Sequence, residues 1–376
     1  LEFRRVLFRS NEQLLQERIR LGQPVDFTPF SRQIDYPFQQ ITHHNVYFKA
    51  LFDHEKIGHF AFQSTFQQDN RRENRIRRLN HSDIPTVSLH LNSLQNSLVW
   101  NKGYQHWKSE AGAQLLITDN TNERGTGVVP IIPNYTEVAF GLYGLQKYTA
   151  DRWGMEAGVR FDGQQTKADG YDWTGRRYGG KRDFTNFTYS LGGHYHINKQ
   201  LKLTSHFGVA WRAPHVYELY SNGNELSSGI FVKGDSTLLS EQSYKWITSL
   251  KYASKYFDVQ LDGYFQWINN YIFDQPTGRN ITVVSGAYPV FQYRQTRAFF
   301  QGVDLDAHVR PLSSLDYHLV TAMIWAREMP SHDYLPYIPS FRLTHSLTWS
   351  LPFFKAFSPK IGLTHRFVAK QTRFNP

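Results

Sequence analysis

The stretch YFDVQLDGYFQW, residues 256–267, alternates between apolar and polar side chains along its length. The apolar parity holds Val259, Leu261, Phe265 and Trp267. The polar parity holds Asp258, Gln260, Asp262 and Gln266. Successive side chains of a β-strand point to opposite faces, so this period of two predicts a strand with one dry face and one wet face.

The same alternation recurs along most of the chain. We count about fourteen such segments, at 42–52, 57–68, 86–100, 104–118, 135–148, 153–163, 184–196, 201–212, 241–252, 256–271, 294–310, 315–328, 340–351 and 358–370. Most of them are longer than the roughly five or six residues usual in globular sheets. A tilted strand needs roughly 9–11 residues to cross the hydrocarbon core of a bilayer, and these segments are long enough.

The connections between these segments alternate in length. Short ones such as TADR and NKQ alternate with long ones at 69–85, 119–134, 164–183, 213–240, 272–293 and 329–339. Outer-membrane barrels have short periplasmic turns and long external loops, whereas a soluble sandwich has no reason to put every long loop at one end. A propeller would repeat every 40–50 residues or so, and no such repeat is present. The predicted fold class is therefore an all-β, antiparallel transmembrane β-barrel.

Composition narrows the functional classes. The 376 residues include no cysteine, which excludes disulfides and thiolate chemistry. The net charge of +10 predicts an anionic partner. The basic residues are scattered rather than clustered on one element, which favours lipopolysaccharide of the outer leaflet over nucleic acid. No G-x-S-x-G, H-E-x-x-H, P-loop or G-x-G-x-x-G motif occurs, so we predict no enzyme activity and no resident cofactor.

The ends of the chain differ from its middle. The first ten residues, LEFRRVLFRS, do not share the character of the remaining chain, and we interpret 1–10 as a foreign junction. We expect 11–41 to be an extracellular loop or an incomplete strand. The barrel is predicted over 42–376, without its final strands.

The segment WRAPHVYELYSNG at 211–223 resembles the "FRAP…ELY" segment of TonB-dependent outer-membrane receptors. The residues that carry this likeness are Trp211, Arg212, Ala213, Pro214, Glu218, Leu219 and Tyr220. Further segments resemble the same family in the same order: PFQQITHHNVYFKA (37–50), GDSTLLSEQSYKWITSLKY (234–252), YRQTRAFFQGVDLDAHV (293–309) and LPYIPSFRL (335–343). Each motif is weak alone, but their order and spacing together are specific, and they cover roughly 35–376.

The resemblance implies a barrel of 22 strands, of which about fourteen are present, closed by an N-terminal plug. It also implies energy coupling through the TonB–ExbB–ExbD complex, which acts on the plug that this chain lacks. The implied function is receptor-mediated uptake of a metal chelate across the bacterial outer membrane. A passive porin without energy coupling is the alternative from another class, and a soluble β-rich binding protein is a third.

The WRAP segment predicts specific roles at a strand end. Pro214 has no N–H and ends the ladder, and we expect Trp211 at the outer lipid boundary. Arg212 lies on the polar parity, where it can contact the plug or the ligand or join a salt-bridge network of the lumen. The segment 213–240 is a candidate lid, and Tyr217 and Tyr220 are candidate ligand contacts.

The cargo is predicted from the long loops. The predicted loop 69–85 holds a run of arginines: Arg71, Arg72, Arg75, Arg77 and Arg78. Guanidinium groups suit the oxygens of an anionic ferric siderophore, or equally the phosphates of lipopolysaccharide.

Histidines leave two other cargoes open. His332 with Asp333, and the adjacent His43 and His44, offer zinc-type ligands, although neither pair has the i, i+2 spacing that aims two ligands at one metal. His215 follows WRAP and could act as an axial haem ligand. GDSTL (234–238) stands where haem receptors of this family have an NPNL box, which weakens the haem alternative.

Overall fold

The computed structural model describes residues 16, 19–22, 30–33, 35–76, 81–172, 174–225, 228–283, 286–329, 331–351, 357 and 359–375. The described chain is built almost wholly of β-strands. They are β1 (Phe38–His54), β2 (Gly58–Asn74), β3 (Val87–Tyr104), β4 (Trp107–Asn122), β5 (Asn134–Thr149), β6 (Trp153–Tyr171), β7 (Arg177–His196), β8 (Leu201–Arg212), β9 (Asn222–Glu225), β10 (Ile230–Lys233), β11 (Glu241–Ala253), β12 (Phe257–Val283), β13 (Gly286–Leu312), β14 (Leu315–Glu328), β15 (Arg342–Ser350) and β16 (Lys360–Val368). A single-turn helix, α1 (Val216–Tyr220), lies between β8 and β9.

Fourteen of these strands form one antiparallel meander in the order β1 to β8 and then β11 to β16. The two short strands lie outside that path, where β10 pairs antiparallel with β9 and parallel with β13. Strands β1 and β16 end the path, and every residue of both is exposed. The predicted fold class is confirmed, as a sheet that is open along these two strands within the described chain.

The register separates the two faces of the sheet. Directly opposite residues of an antiparallel pair lie on the same face, and β12 and β13 pair Leu261 with Leu305 and Asp262 with Asp304. Large apolar side chains on one face stay exposed, such as Phe187 and Leu191. An exposed apolar band of this extent is the lipid-facing surface of a barrel, so the polar face is the inner wall.

The short turns all join strand ends at one end of the sheet, and aromatic rings gather beside them. Trp107 packs on Tyr148 with ring centroids 4.8 Å apart, and Tyr148 packs on Trp153 at 5.0 Å. Amphipathic rings favour the boundary between membrane and water, so this cluster fits a girdle at the short-turn end. No helix among the described residues is long and apolar enough to cross a membrane.

The strands are longer than the alternation predicts. Residues 164–183 and 272–293 were expected to be loops, but β6 runs to Tyr171, β7 begins at Arg177, and β12 and β13 span 27 residues each. Similarly, β1 begins at Phe38 and β2 continues to Asn74. These extensions carry polar residues on both faces, so they lack the period of two that reveals a strand.

Candidate ligand-binding surface

The segment after β8 folds into helix α1. Pro214 has no N–H to continue the ladder, and His215 becomes the N-cap. The imidazole Nδ1 of His215 accepts the Tyr217 amide at 3.1 Å, and the Glu218 carboxylate accepts the His215 amide at 2.8 Å. This reciprocal capping box explains why a helix starts directly after the strand.

Apolar side chains fix α1 onto the sheet. Val216 and Leu219 of the helix are fully or almost fully buried, at 0% and 2% exposed, as is Leu238 further along the segment at 2%. They pack in one cluster with Tyr135 of β5 and Ile272 of β12. Burial of this extent makes the segment a packed part of the rim.

Arg212 forms a clamp with two carboxylates. Its Nη1 and Nη2 donate to Glu218 at 2.7 and 2.9 Å, and its Nε and Nη2 donate to Glu241 at 2.6 and 3.0 Å. Glu241 also accepts the Ile272 amide at 2.6 Å. The guanidinium therefore uses four of its five N–H donors to tie β8, α1, β11 and β12 together. Of the roles expected for Arg212, the one in a salt-bridge network describes this geometry.

Trp211 lies on the same parity of β8 as Phe207 and Val209, and its expected position at the outer lipid boundary stays a prediction. Its indole Nε1 donates to Asp162 Oδ2 at 3.0 Å. Asp162 lies on the polar parity of β6 and also accepts the Nε of Arg160 at 2.8 Å. The indole N–H of a half-buried Trp usually finds a partner, and the Asp162 carboxylate supplies it here.

Phenol groups gather at the outer end of this segment. Tyr217 packs edge-on against Tyr293 of β13, with ring centroids 6.0 Å apart. The hydroxyl of Tyr337 hydrogen-bonds Asp274. Burial, and then the charge of Glu225, raise the pKa of Tyr217, which keeps this phenol protonated at neutral pH. We call Tyr217, Tyr293 and Tyr337 the phenol cluster.

Arg71 and Arg72 are strand residues of β2 that face opposite sides of the sheet. Arg71 donates its Nε to Glu73 at 2.7 Å on the inner parity. Arg72 approaches Glu123 at 3.5 Å on the parity that carries Phe62 and Phe66 lower down. A cavity of about 180 Å³ lies mainly on the side of β1, β2 and β3 that carries Arg72. It is lined by Gln40, Thr42, Asn70, Arg71, Arg72, Ser88, Leu89 and His90.

This architecture matches a known family along almost the whole chain. The β-barrel family described as TonB dependent receptor-like matches residues 7–376. The chain belongs to this family. It is therefore part of an outer-membrane β-barrel receptor, and the resemblance carried by the WRAP segment is confirmed.

Several solved structures share the fold of this TonB-dependent receptor. The copper transporter OprC aligns with a TM-score of 0.72 at 14% identity, over 90% of this chain and 54% of its own. The Serratia marcescens hemophore receptor HasR, solved with its hemophore HasA and heme, aligns with a TM-score of 0.67 at 13% identity. The alignment covers 89% of this chain and 59% of HasR. The FrpB iron transporter of Neisseria meningitidis aligns with a TM-score of 0.64 at 12% identity, over 88% of this chain and 51% of FrpB. The chain spans about half the length of these proteins.

No curated protein matches the sequence of this receptor. Its similarity to the solved structures is low in identity, so it establishes the shared fold only.

Other residues singled out from the sequence are not drawn together in the receptor. His332 has φ +61 and lies beside Asp333 in an exposed connection, where the Asp333 amide donates to Ser331. Arg75 follows the end of β2, and Arg77 and Arg78 lie outside the described residues. Tyr220 is 6% exposed and belongs to the packing of α1. Ligand roles for these residues stay predictions.

His215 keeps one ring nitrogen free of the cap. Its Nδ1 accepts the Tyr217 amide, while its Nε2 points away from that bond. Loss of hydration lowers the pKa of His215, although the residue keeps an exposed edge. A neutral imidazole with an available Nε2 can act as a metal ligand.

One cluster of metal-ligating residues was missed in the sequence. Asp306, His308 and His318 bring a ligand atom each within 4.8 Å of one another on β13 and β14. The local signal was present, because Asp306 and His308 have the i, i+2 spacing that puts both on one face of a strand. His318 joins them only through the register of the two strands.

Proposed function

We propose that the chain is the barrel part of an energy-coupled receptor for an anionic metal chelate, with a ferric siderophore as the cargo class. The observation that carries this proposal is the phenol cluster at the rim, where burial raises the pKa of Tyr293 to about 12 and so keeps its hydroxyl protonated as a donor to chelate oxygens. Two proteins that share the fold, the FrpB iron transporter and the ferric yersiniabactin uptake receptor FyuA, are iron or ferric-chelate transporters, which supports such a cargo.

The proposed partners follow from the family. Energy would come from the TonB–ExbB–ExbD complex acting through an N-terminal plug. Arg71, which is half-exposed on the inner parity, would add a charge-assisted contact to the chelate. Arg72 faces the outer wall above the apolar band, where it would meet lipopolysaccharide phosphates instead.

A direct binding titration tests the cargo. The receptor would be purified from membranes in detergent and titrated with a ferric catecholate, a ferric hydroxamate and haemin. Tyr293→Phe removes one neutral donor worth about 0.5–1.5 kcal/mol, so we expect ferric-chelate affinity to fall roughly 2- to 10-fold. Tyr189→Phe is the matched control, because Tyr189 lies exposed on the apolar face.

Haem is the second candidate, favoured by the available Nε2 of His215. A haem receptor predicts that haemin binds, that His215→Ala abolishes its Soret shift, and that Tyr293→Phe leaves it unchanged. Binding of neither ferric chelates nor haemin to a plug-containing receptor would contradict both candidates.

A further inference from the structure

Two histidines and an aspartate meet on the inner wall beside the short turn at 313–314. His308 of β13 lies directly opposite His318 of β14, and their rings stack with centroids 3.8 Å apart and planes 10° apart. Asp306 Oδ1 lies 3.1 Å from His318 Nε2 and 3.9 Å from His308 Nε2. Both Nε2 atoms therefore face the same carboxylate.

The far side of His308 is held by another carboxylate. Its Nδ1 lies 3.1 Å from Asp316 Oδ1, and Asp316 Oδ2 accepts the Nε of Arg310 at 2.9 Å. A carboxylate on Nδ1 fixes the tautomer in which Nδ1 carries the proton, and leaves the Nε2 lone pair directed at Asp306. Metal-ligating histidines are oriented by this type of partner.

Local charge also favours a cation. At the short-turn end, the inner walls of β12, β13 and β14 carry five aspartates and one basic residue: Asp258, Asp262, Asp304, Asp306 and Asp316, with Arg310. Further basic residues lie on the inner wall of the flanking strands, at Lys251, Lys202, Arg342 and Arg366. Arg310 pairs with Asp316, and Lys251 pairs with Asp258. Among the described residues, Asp306 has only histidines as ion-pair partners. This patch is negative in a chain whose net charge is +10.

We propose that Asp306, His308 and His318 bind a divalent transition-metal ion of the zinc type. Imidazole and carboxylate ligands suit Zn²⁺, which takes three protein ligands and a water at open sites. Ligand atoms around a tetrahedral Zn²⁺ lie about 3.3 Å apart, given bonds of about 2.0–2.2 Å, close to the 3.1 and 3.9 Å separations here. Binding requires the two rings to turn out of their parallel stack.

The site lies near the short-turn end of the barrel, away from the phenol cluster, and does not depend on which chelate the receptor takes up. Its test therefore uses the metal alone. The purified receptor would be titrated with Zn²⁺ by calorimetry, and with Co²⁺ by visible absorption, whose intensity reports a tetrahedral site.

We expect one Zn²⁺ per chain, and at least about tenfold weaker binding in Asp306→Asn and in His318→Gln. Asp316→Asn, which touches no metal, should weaken binding by roughly 10- to 100-fold because the His308 tautomer is no longer fixed. His345→Gln is the matched control: His345 pairs with His365 at 2.8 Å on the apolar face of the neighbouring strands. It should bind Zn²⁺ as the unaltered receptor does.

Two results would overturn the proposal. One is Zn²⁺ binding that survives Asp306→Asn and His318→Gln with unchanged affinity. The other is a folded receptor, shown by heat-modifiable migration on electrophoresis, that binds no Zn²⁺ or gives only weak octahedral Co²⁺ absorption. Neither result bears on ferric-chelate binding, which is measured separately.

Discussion

Removing the Arg212 guanidinium should loosen α1 from the barrel. Arg212→Met keeps most of the side-chain bulk but leaves Glu218 and Glu241, at 14% and 13% exposed, without a cationic partner. Truncating one partner of a fully buried ion pair costs about 3–5 kcal/mol, and an exposed pair about 0–1 kcal/mol. Because the Arg212 side chain is 42% exposed, we expect Arg212→Met to lower the free energy of opening this segment by about 2 kcal/mol.

Hydrogen exchange measures this opening directly. The Leu219 amide donates to His215 at 3.0 Å and the Ser221 amide donates to Tyr217 at 3.1 Å, so both report α1. A cost of about 2 kcal/mol corresponds to a roughly 30-fold loss of protection at these two amides. Adding Glu218→Gln and Glu241→Gln to Arg212→Met should restore part of it, because the uncompensated charges are gone.

A matched variant separates the clamp from a general loss of positive charge. Arg177 donates to Asp169 in a pair whose side chains are 70% and 58% exposed, so Arg177→Met should change protection in its own hairpin very little. Protection of Leu219 and Ser221 in Arg212→Met within twofold of the unaltered protein would refute the clamp as the support of α1.

Two further predictions concern the faces of the sheet and the outer wall. Leu250→Arg places a charge on the apolar face of β11 and should destabilise the folded receptor in detergent by roughly 2–4 kcal/mol. Ser249→Arg, on the inner wall, should be nearly neutral. Urea titration of both variants measures the difference. Hydrogen bonds from Ser88 and then His90 lower the pKa of Glu123 from 4.5 to about 2. The ionised Glu123 carboxylate therefore stabilises the folded state fully above pH 4.5, and this stabilisation is lost as the pH falls toward 2. Glu123→Gln should remove this pH dependence from the hydrogen-exchange protection of the neighbouring amides.

The membrane-crossing part of each strand could be predicted from the sequence because lipid imposes alternation there. Val259, Leu261 and Phe265 contact an apolar medium, while the residues between them face the inner wall. Outside the membrane both faces are wet and the constraint ends, so the outer halves of β12 and β13 carried no periodic signal. The two bulges of β12, at 268–271 and 276–280, also shift the parity there.

Contacts across strands could not be predicted from the local sequence. Glu218 lies six residues after Arg212 in the WRAP segment. Glu241 joins the clamp only because β11 pairs with β8 in a register that puts it opposite Arg212. His318 reaches His308 for the same reason. In each case the spacing showed one half of the cluster, and the register of the sheet supplied the other.

The arginine run shows how a cluster in sequence can divide in space. Arg71 and Arg72 are adjacent on a strand, so they must point to opposite sides, one toward the inner wall and the other toward the outer face of the sheet. A single anionic chelate cannot contact both from one side of the sheet. The parity of each residue therefore decides which partner it serves, and a search for cargo contacts belongs on the inner parity and the packed rim above it.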